Sequence, residues 1–357
     1  MAQALALARR GLGNVWPNPA VGCLIVEDGR VLGRGWTLPG GRPHAETEAL
    51  AAAGPAARGA TAYVSLEPCA HHGETGPCAD ALIAAGVARV VVAARDPDPR
   101  VSGAGIARLR DAGVAVREDV CRAEAERLNA GFISRIVDGR PLLTLKLATS
   151  LDGRIATSSG ESQWITGAAA RARAHLLRAQ HDAVLIGSGT ALADDPALTC
   201  RLPGWAGPQP IRLVFDARLR LPADGALAAG ARQVSVWVVT VAGQDGAALR
   251  AAGVELIEVA AGADGGVDPA AALAALGARG LTRVLVEGGW RLAAALLRAG
   301  LVDELRWFRA ASLIGADGLS GIGELGVAAL AQRLDFRRVA VEPVGDDLLE
   351  SYVRRAL

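Results

Sequence analysis

His44-Ala45-Glu46, followed by Glu67-Pro68-Cys69-Ala70-His71-His72-Gly73-Glu74-Thr75-Gly76-Pro77-Cys78, collects one imidazole, one off-centre carboxylate and two thiols in a short span. Those are the parts of a hydrolytic zinc site. Catalytic zinc takes three protein ligands of N/S type and keeps a fourth position open for water. His44, Cys69 and Cys78 fill the three positions. Glu46, two residues beyond the imidazole, stays off the metal and carries protons to and from the bound water. Singly, a histidine is more often packed or solvated, and a free cysteine is more often a small buried hydrophobe. A structural zinc would want four closed ligands, with His71 or His72 as the fourth. The order of the residues, with a proline before the first cysteine, favours the catalytic reading.

His-x-Glu followed by Pro-Cys and a second Cys is the signature of zinc nucleobase deaminases, which usually close with Cys-x-x-Cys. Here the insert Ala70 to Pro77 separates the two thiols. That insert resembles the deaminase half of the bifunctional deaminase–reductases of riboflavin biosynthesis. So do Pro17-Asn18-Pro19-Ala20-Val21-Gly22 upstream and Ala79-Asp80-Ala81-Leu82-Ile83-Ala84-Ala85-Gly86-Val87 downstream. A deaminase of that kind alone would end near residue 140, and this chain continues.

At 357 residues, two domains are the default expectation. A formal charge of +1 advertises no nucleic acid or anionic membrane as partner. Hydrophobic residues make up 51% of the chain, much of it alanine in helical runs. No apolar run approaches the roughly 20 residues needed to cross a bilayer. The opening Met1 to Arg10 has its charges after the apolar segment, so it reads as a first helix and not as a signal peptide. Five unevenly spread cysteines make no disulfide framework. Thiols that bind metal must stay reduced, which points to the cytoplasm.

The first half alternates strands and helices: strands over Val21–Val26 and Arg30–Trp36, paired across the Asp28-Gly29 turn signal, then Thr61–Leu66, Val87–Ala93 and Val114–Val120. The helices fall at His44–Ala53, Cys78–Gly86, Gly105–Ala112 and Glu124–Phe132. This order predicts a layered α/β sandwich on a largely parallel sheet. Val137-Asp138-Gly139-Arg140-Pro141 has linker composition, so the expected domains are 1–138 and 142–357. The second half alternates too. Strands are predicted at Leu142–Leu147, Ala183–Ile186, Ile211–Phe215, Val234–Thr240, Val254–Val259, Val284–Val286 and Glu304–Arg309. An edge hairpin over Arg337–Val341 and Leu348–Val353 closes it. Helices are predicted at Ala168–Gln180, Pro269–Ala278 and Arg291–Ala299, and Leu221–Ala231 reads as a loose surface loop.

Two glycine turns in this half look like ligand loops, Ile186-Gly187-Ser188-Gly189-Thr190 and Glu287-Gly288-Gly289-Trp290. Neither matches a dinucleotide fingerprint, so alone each is an ordinary turn. Lys146 to Arg154, Gly160 to Thr166, Arg178 to Ala183 and Thr190 to Arg201 resemble the reductase half of the same bifunctional family. The resemblance implies a cytidine-deaminase-like α/β/α sandwich followed by a dihydrofolate-reductase-like α/β domain, holding Zn²⁺ and NADPH respectively.

Carried over by position, it places Ala148, Trp164, Thr190, Asp194 and Gly289, Trp290, Arg291, Leu292, Ala293, Ala294 and Ala295 along the dinucleotide. Ser162, Arg178, Leu198, Arg201 and Glu287 would hold the pyrimidine sugar-phosphate, and Lys146 and Glu287 are the ionisable groups nearest the hydride step. In the deaminase half, Asn18 would bond the ring, and His71 would border the phosphate. The implied reactions are removal of the C2 amino group of a diaminopyrimidinone ribosylamino phosphate, then reduction of its ribosyl chain to ribityl. Partners are expected to be small pyrimidine ribosyl phosphates, with no nucleic acid and no membrane, and the chain is expected to form a homo-oligomer.

One departure stands out: Glu74 occupies a position where the family usually carries Lys or Arg. We expect phosphate binding to have moved to neighbours such as Arg42 or His71. Two other readings compete. One is a tRNA-type deaminase with an accessory domain, disfavoured by balanced charge and by the lack of an aromatic–basic stripe. The other is a homologue in which one site has decayed, which the intact zinc set opposes for the first half.

Overall fold

Two strand glycines seat the helix that carries Glu46. In the computed structural model, which describes residues 1–71 and 76–355, β1 (Gly22–Glu27) and β2 (Arg30–Trp36) form a hairpin after α1 (Ala2–Ala8). Helix α2 (Ala45–Ala53) lies directly on β2. A Cβ built at Gly33 would stand 2.1 Å from the Ala49 carbonyl oxygen, and one at Gly35 the same distance from that of Ala45. Any side chain there would lift the helix, and Glu46 with it.

The chain divides into Met1–Gly139 and Arg140–Leu357. The first unit continues with β3 (Thr61–Val64), α3 (Cys78–Ala84), β4 (Arg89–Val92), α4 (Ala104–Asp111), β5 (Ala115–Arg117), α5 (Arg122–Leu128) and α6 (Ala130–Asp138). Its sheet runs β2-β1-β3-β4-β5. Sequence predicts a largely parallel sheet. In fact β1 runs against both neighbours, and only the β3–β4 and β4–β5 pairs are parallel. The Asp28-Gly29 turn folds β2 straight back, as its sequence predicts, so the departure lies in the antiparallel β1–β3 pair. Alternate strand residues such as Cys23, Ile25, Val64, Val90 and Val92 face the helices and form the core.

The predicted helix Glu124–Phe132 is two helices. Asn129 breaks it, with φ −94° and ψ 15°, because its side chain grips the Ala20 backbone. The amide donates to the Ala20 carbonyl at 3.1 Å, and its oxygen accepts the Ala20 N–H at 2.9 Å. This clasp turns α6 toward the Pro17-Asn18-Pro19 loop. Helix α6 also runs on through Val137 and Asp138, so the expected linker is shorter, ending the helix at Gly139 in the left-handed region.

The second unit holds β6 (Leu142–Thr149), β7 (Arg154–Ala156), α7 (Ala168–Ala179), β8 (Ala183–Gly187), α8 (Ser188–Asp194), β9 (Ile211–Phe215), α9 (Ala226–Ala229) and β10 (Val236–Val241). Then come α10 (Ala247–Ala252), β11 (Glu255–Val259), α11 (Pro269–Ala278), β12 (Arg283–Gly288), α12 (Trp290–Arg298), β13 (Glu304–Arg309), β14 (Leu319–Ser320), β15 (Phe336–Val344) and β16 (Asp347–Arg354). Nine strands make one sheet in the order β11-β10-β9-β8-β12-β6-β13-β16-β15, parallel except at the β13–β16 and β16–β15 pairs. The segment Leu221–Ala231, expected to be loose, is packed. Leu221, Leu227, Ala228 and Ala231 are buried in this unit's core, small residues letting α9 sit close.

At the amino ends of these strands His181 is buried, Nδ1 against the Leu177 carbonyl at 2.6 Å and Nε2 against Thr144 Oγ1 at 2.9 Å. Burial pushes its pKa down from 6.5 to about 4. The unfolded chain takes a proton near pH 6.5, and the folded chain refuses it until near pH 4. His181 therefore contributes stability above pH 6.5 that is lost as pH falls through this window. The loss between pH 7 and pH 5 should be about 2 kcal/mol. Denaturant midpoints at the two pH values, compared with His181→Gln, check this. An equal pH slope in both proteins would rule it out.

Candidate active sites

Each metal-type donor sits where a strand or loop gives way to a helix. His44 is the N-cap of α2, Cys69 follows the end of β3, and Cys78 opens α3. His44 Nδ1 is 3.3 Å from Cys78 Sγ and 3.7 Å from Cys69 Sγ, and the three ligand atoms all lie within 4.8 Å of one another. Zinc–sulfur and zinc–nitrogen bonds of about 2.3 and 2.0 Å put tetrahedral donors about 3.6–3.8 Å apart. The set fits the ion. The two thiols compete for one proton: the Cys78 hydrogen bond pulls Cys69 down to about 4, and the same bond pushes Cys78 up. Donors gathered this closely want a cation between them. Among the described residues the set has three members, and His71 is not one of them. His72 and Glu74 lie outside the described residues.

Glu46 is 3% exposed, and burial raises its carboxyl to about 7. A cation on the neighbouring donors would pull it back down. Both His44 and Glu46 line a cavity of about 170 Å³ that also receives Asn18, Arg42 and His71. Asn18 Nδ2 donates to the Gly41 carbonyl at 3.2 Å. Gly41 has φ +83°, and a Cβ there would fall 1.9 Å from the Asn18 amide nitrogen, so glycine is required. His71 Nδ1 is buried without a hydrogen-bond partner, the condition of a group waiting for a ligand.

Glu67 is buried behind Cys69 and accepts four backbone N–H groups, from Asp96 at 3.3 Å, Gly103 at 3.0 Å, Gly105 at 3.0 Å and Ile106 at 3.2 Å. It ties the end of β3 to the start of α4. Sequence reasoning missed two further walls of the cavity. One is Asp96, Asp98 and Arg100, from the turn after β4; the other is Phe132, Arg135 and Ile136, one face of α6. Burial raises Asp96 to about 6, while its hydrogen bond to Arg100 holds Asp98 down. The i, i+3, i+4 spacing on α6 was readable, but not what that face would meet.

In the second unit the β12–β6 register pairs Val286 with Leu145, which brings Glu287 and Lys146 alongside. Arg178 on α7 forks onto Glu287, Nε to Oε1 at 2.5 Å and Nη2 to Oε2 at 2.9 Å, and its Nη1 donates to the Thr199 carbonyl at 2.8 Å. Burial would raise Glu287, but the Arg178 guanidinium overrides it and holds the carboxyl low. Burial pushes the Lys146 amine down, with Glu287 opposing. Leu198 sits at φ 52° in the left-handed region, a costly posture for a branched side chain. Arg201 donates its N–H to His175 Nδ1 at 3.3 Å.

The glycine turns after β8 and β12 lie side by side, since these strands pair in parallel. A Cβ on Gly288 would meet the Thr190 side chain at 3.0 Å, so glycine lets the two turns pack closely, while a Cβ on Gly189 would meet nothing within 4 Å, which leaves that backbone open. That cradle suits a dinucleotide phosphate. Trp164 is 67% exposed, with one face on the Arg171 guanidinium at 4.5 Å. Ala148 lies two residues beyond Lys146 on the same face of β6, and Ser162 lies in the exposed segment before Trp164. Asp194 ends α8, its carboxyl raised by burial. Of the α12 residues, Gly289 is the N-cap and Trp290, Arg291 and Leu292 follow. Ala293 and Ala294 are buried, and the Ala293 N–H is taken by the Gly289 carbonyl. Ala295 is half-buried.

Fold and sites together define a zinc deaminase joined to a pyridine-nucleotide reductase. Residues 1–94 match the cytidine and deoxycytidylate deaminase zinc-binding region, and residues 141–349 match the RibD C-terminal domain. The riboflavin biosynthesis protein RibD of Escherichia coli (strain K12) is 44% identical, over 98% of this chain and 96% of its own length. The solved structure of Acinetobacter baumannii RibD, form 1, superposes with a TM-score of 0.90 at 38% identity, covering 99% of this chain and 98% of its own. A Thermotoga maritima structure described as a diaminohydroxyphosphoribosylaminopyrimidine deaminase/5-amino-6-(5-phosphoribosylamino)uracil reductase gives 0.88 at 35% identity, covering 99% and 97%. The chain belongs to the RibD family of riboflavin biosynthesis, bifunctional enzymes with a zinc deaminase and an NADPH-dependent reductase.

Proposed function

We propose that residues 1–138 deaminate 2,5-diamino-6-ribosylamino-4(3H)-pyrimidinone 5′-phosphate, and that residues 142–357 reduce the resulting 5-amino-6-(5-phosphoribosylamino)uracil. The observation that carries the first step is His44, Cys69 and Cys78 converging beside buried Glu46 at the wall of one cavity. Zinc held by these three donors supplies a Lewis acid that makes water nucleophilic near neutral pH. Glu46 would take one proton from that water and pass it to the ring nitrogen, then take the second from the new C2 hydroxyl and pass it to the departing amino group. The C2–N bond breaks, a C2–O bond forms, and ammonia leaves. Asn18 orients the ring, and the free His71 Nδ1 takes a substrate hydrogen bond.

In the second unit NADPH, when bound, would supply a hydride to C1′, opening the sugar to ribityl. Lys146, with its amine lowered by burial, holds the proton that completes the reduction. Arg178, fixed by Glu287, and Arg201 are cations suited to the sugar-phosphate, and the resemblance adds Ser162 and Leu198 to the set. Ala148, Trp164, Thr190, Asp194 and Gly289 to Ala295 would hold the dinucleotide.

Substrates of this kind are small molecules, and a formal charge of +1 advertises no nucleic-acid partner. Free thiols at the metal donors support a cytoplasmic setting, and no helix among the described residues is long and apolar enough to cross a membrane. The exposed Val339, Val341 and Leu348 on the edge hairpin suit a homo-oligomer contact.

Incubating the protein with the diaminopyrimidine phosphate, with and without NADPH, and weighing the products tests the whole reading. Ammonia without NADPH and the ribityl product only with it are expected. Phosphate binding by Arg42 and His71, in place of a cation at position 74, is a narrower expectation. Arg42→Ala or His71→Ala should raise the deaminase KM about tenfold or more, while Glu74→Lys changes it modestly. A hundredfold gain in kcat/KM from Glu74→Lys, roughly 2.7 kcal/mol, would mean that the natural pocket is impaired.

A further inference from the structure

The strand register brings a cation to the end of β9. Strands β8 and β9 are parallel, with Gly187 opposite Phe215, so Ser188 and Asp216 leave the sheet as neighbours. Arg220 spans them. Its Nη2 donates to Ser188 Oγ at 2.6 Å, and its Nε lies 3.9 Å from Asp216 Oδ1. The Asp216 side chain is 1% exposed; Oδ2 accepts the Leu221 N–H at 2.8 Å, and Oδ1 has no hydrogen-bond partner. The Arg220 side chain is 54% exposed. The guanidinium is therefore anchored from below by a hydroxyl and a buried carboxylate, and its remaining donors face solvent.

Parallel sheets take ligands at the carboxyl ends of their strands. Lys146 and Glu287 place the substrate over β6 and β12, and the open glycine turns place the dinucleotide phosphates between β12 and β8. The next strand in that direction is β9. A cofactor whose reactive ring meets the substrate at β6 thus carries its adenosine toward the ends of β8 and β9. At such a strand end, a carboxylate turned outward bonds a ribose 2′-hydroxyl and favours NAD, whereas an arginine accommodates a 2′-phosphate. Asp216 is turned inward onto Leu221, and Arg220 is turned outward.

We propose that Arg220, held by Ser188 and Asp216, binds the 2′-phosphate of the cofactor and sets the preference of the reductase for NADPH over NADH. This rests on the reading of the second unit as the NADPH site and adds the residue that discriminates. The phosphate replaces solvent on the free guanidinium donors, a charge-assisted contact that NADH cannot make.

Calorimetric titration of the full chain with NADP⁺, NAD⁺ and 2′,5′-ADP, in wild type, Arg220→Ala and Arg220→Lys, tests it without turnover. Arg220→Ala should weaken NADP⁺ and 2′,5′-ADP about tenfold or more while NAD⁺ stays within about twofold. Arg220→Lys, keeping the charge but losing the fork, should fall between. Arg220→Gln, which retains a donor for Ser188 without charge, serves if the alanine variant does not fold, and should behave like it. Equal losses for NADP⁺ and NAD⁺ would show that Arg220 only supports the strand end, and unchanged NADP⁺ binding would also overturn the assignment. A wild-type chain that binds no NADP⁺ sinks the reductase reading itself, and the role of Arg220 with it.

Discussion

Glu46→Gln is expected to retain about one zinc per chain while slowing ammonia release by roughly 10²–10⁴-fold. The substitution keeps the volume of a side chain that is 3% exposed, so the packing of α2 on β2 should survive. It removes a buried carboxyl beside the metal donors that can take and return a proton. Zinc retention is the sharper half of the expectation. Glu46 stands outside the three atoms that converge within 4.8 Å, so the metal should not notice its loss. Metal analysis of the purified variant beside an ammonia assay checks both halves. A variant without zinc would make the carboxylate a ligand and remove its proton-carrying role. NADPH oxidation with the deaminated substrate should continue, because that chemistry belongs to the second unit.

The metal set was legible in the sequence because its information lies in residue type and order. An imidazole, a carboxylate and two thiols bring their chemistry to whatever place the chain puts them. The cavity around them was less legible. Phe132, Arg135 and Ile136 become a wall only because Asn129 breaks a helix to hold Ala20, a contact between residues far apart in the chain. Propensity saw one helix there and had no means of seeing the clasp.

Leu221–Ala231 misled for a related reason. Alanine and glycine look like loop composition, yet small side chains also let a short helix press into a core. In the first sheet, the Asp28-Gly29 turn signal marked the β1–β2 hairpin, but alternation of strands and helices suggested parallel pairing beyond it and did not show that β1 also runs against β3. The reductase contacts divide along the same line. Arg178 and Glu287 were named separately from resemblance, and only the fold shows them as one bidentate pair. Arg220 carried no motif and emerged only from the register of β8 against β9.

The Arg178–Glu287 pair gives the other large expected effect. Both side chains are nearly buried, and the fork is complete. Removing one partner of such a pair strands the other charge, at a cost on the order of 3–5 kcal/mol. Arg178→Met should therefore destabilise the protein by about that amount, and the size of the loss should depend on pH with a reversed sign. In the wild type Arg178 holds Glu287 below its ordinary value, so the pair contributes stability above pH 4.5 that is lost as pH falls through the depressed pKa. Without the guanidinium, burial dominates and raises the Glu287 carboxyl above its unfolded value. Its contribution is then fully present below the unfolded pKa and is lost as pH rises through the folded one. The deficit of Arg178→Met relative to wild type should accordingly be larger at pH 8 than at pH 5. Adding Glu287→Gln should recover part of the stability at pH 8, because a neutral amide costs less to bury than a stranded carboxylate. Denaturant unfolding of the three proteins at both pH values decides it. A deficit that does not change with pH, or a double variant no more stable than Arg178→Met, would show that packing of the arginine stem, and not the ion pair, holds α7 to β12.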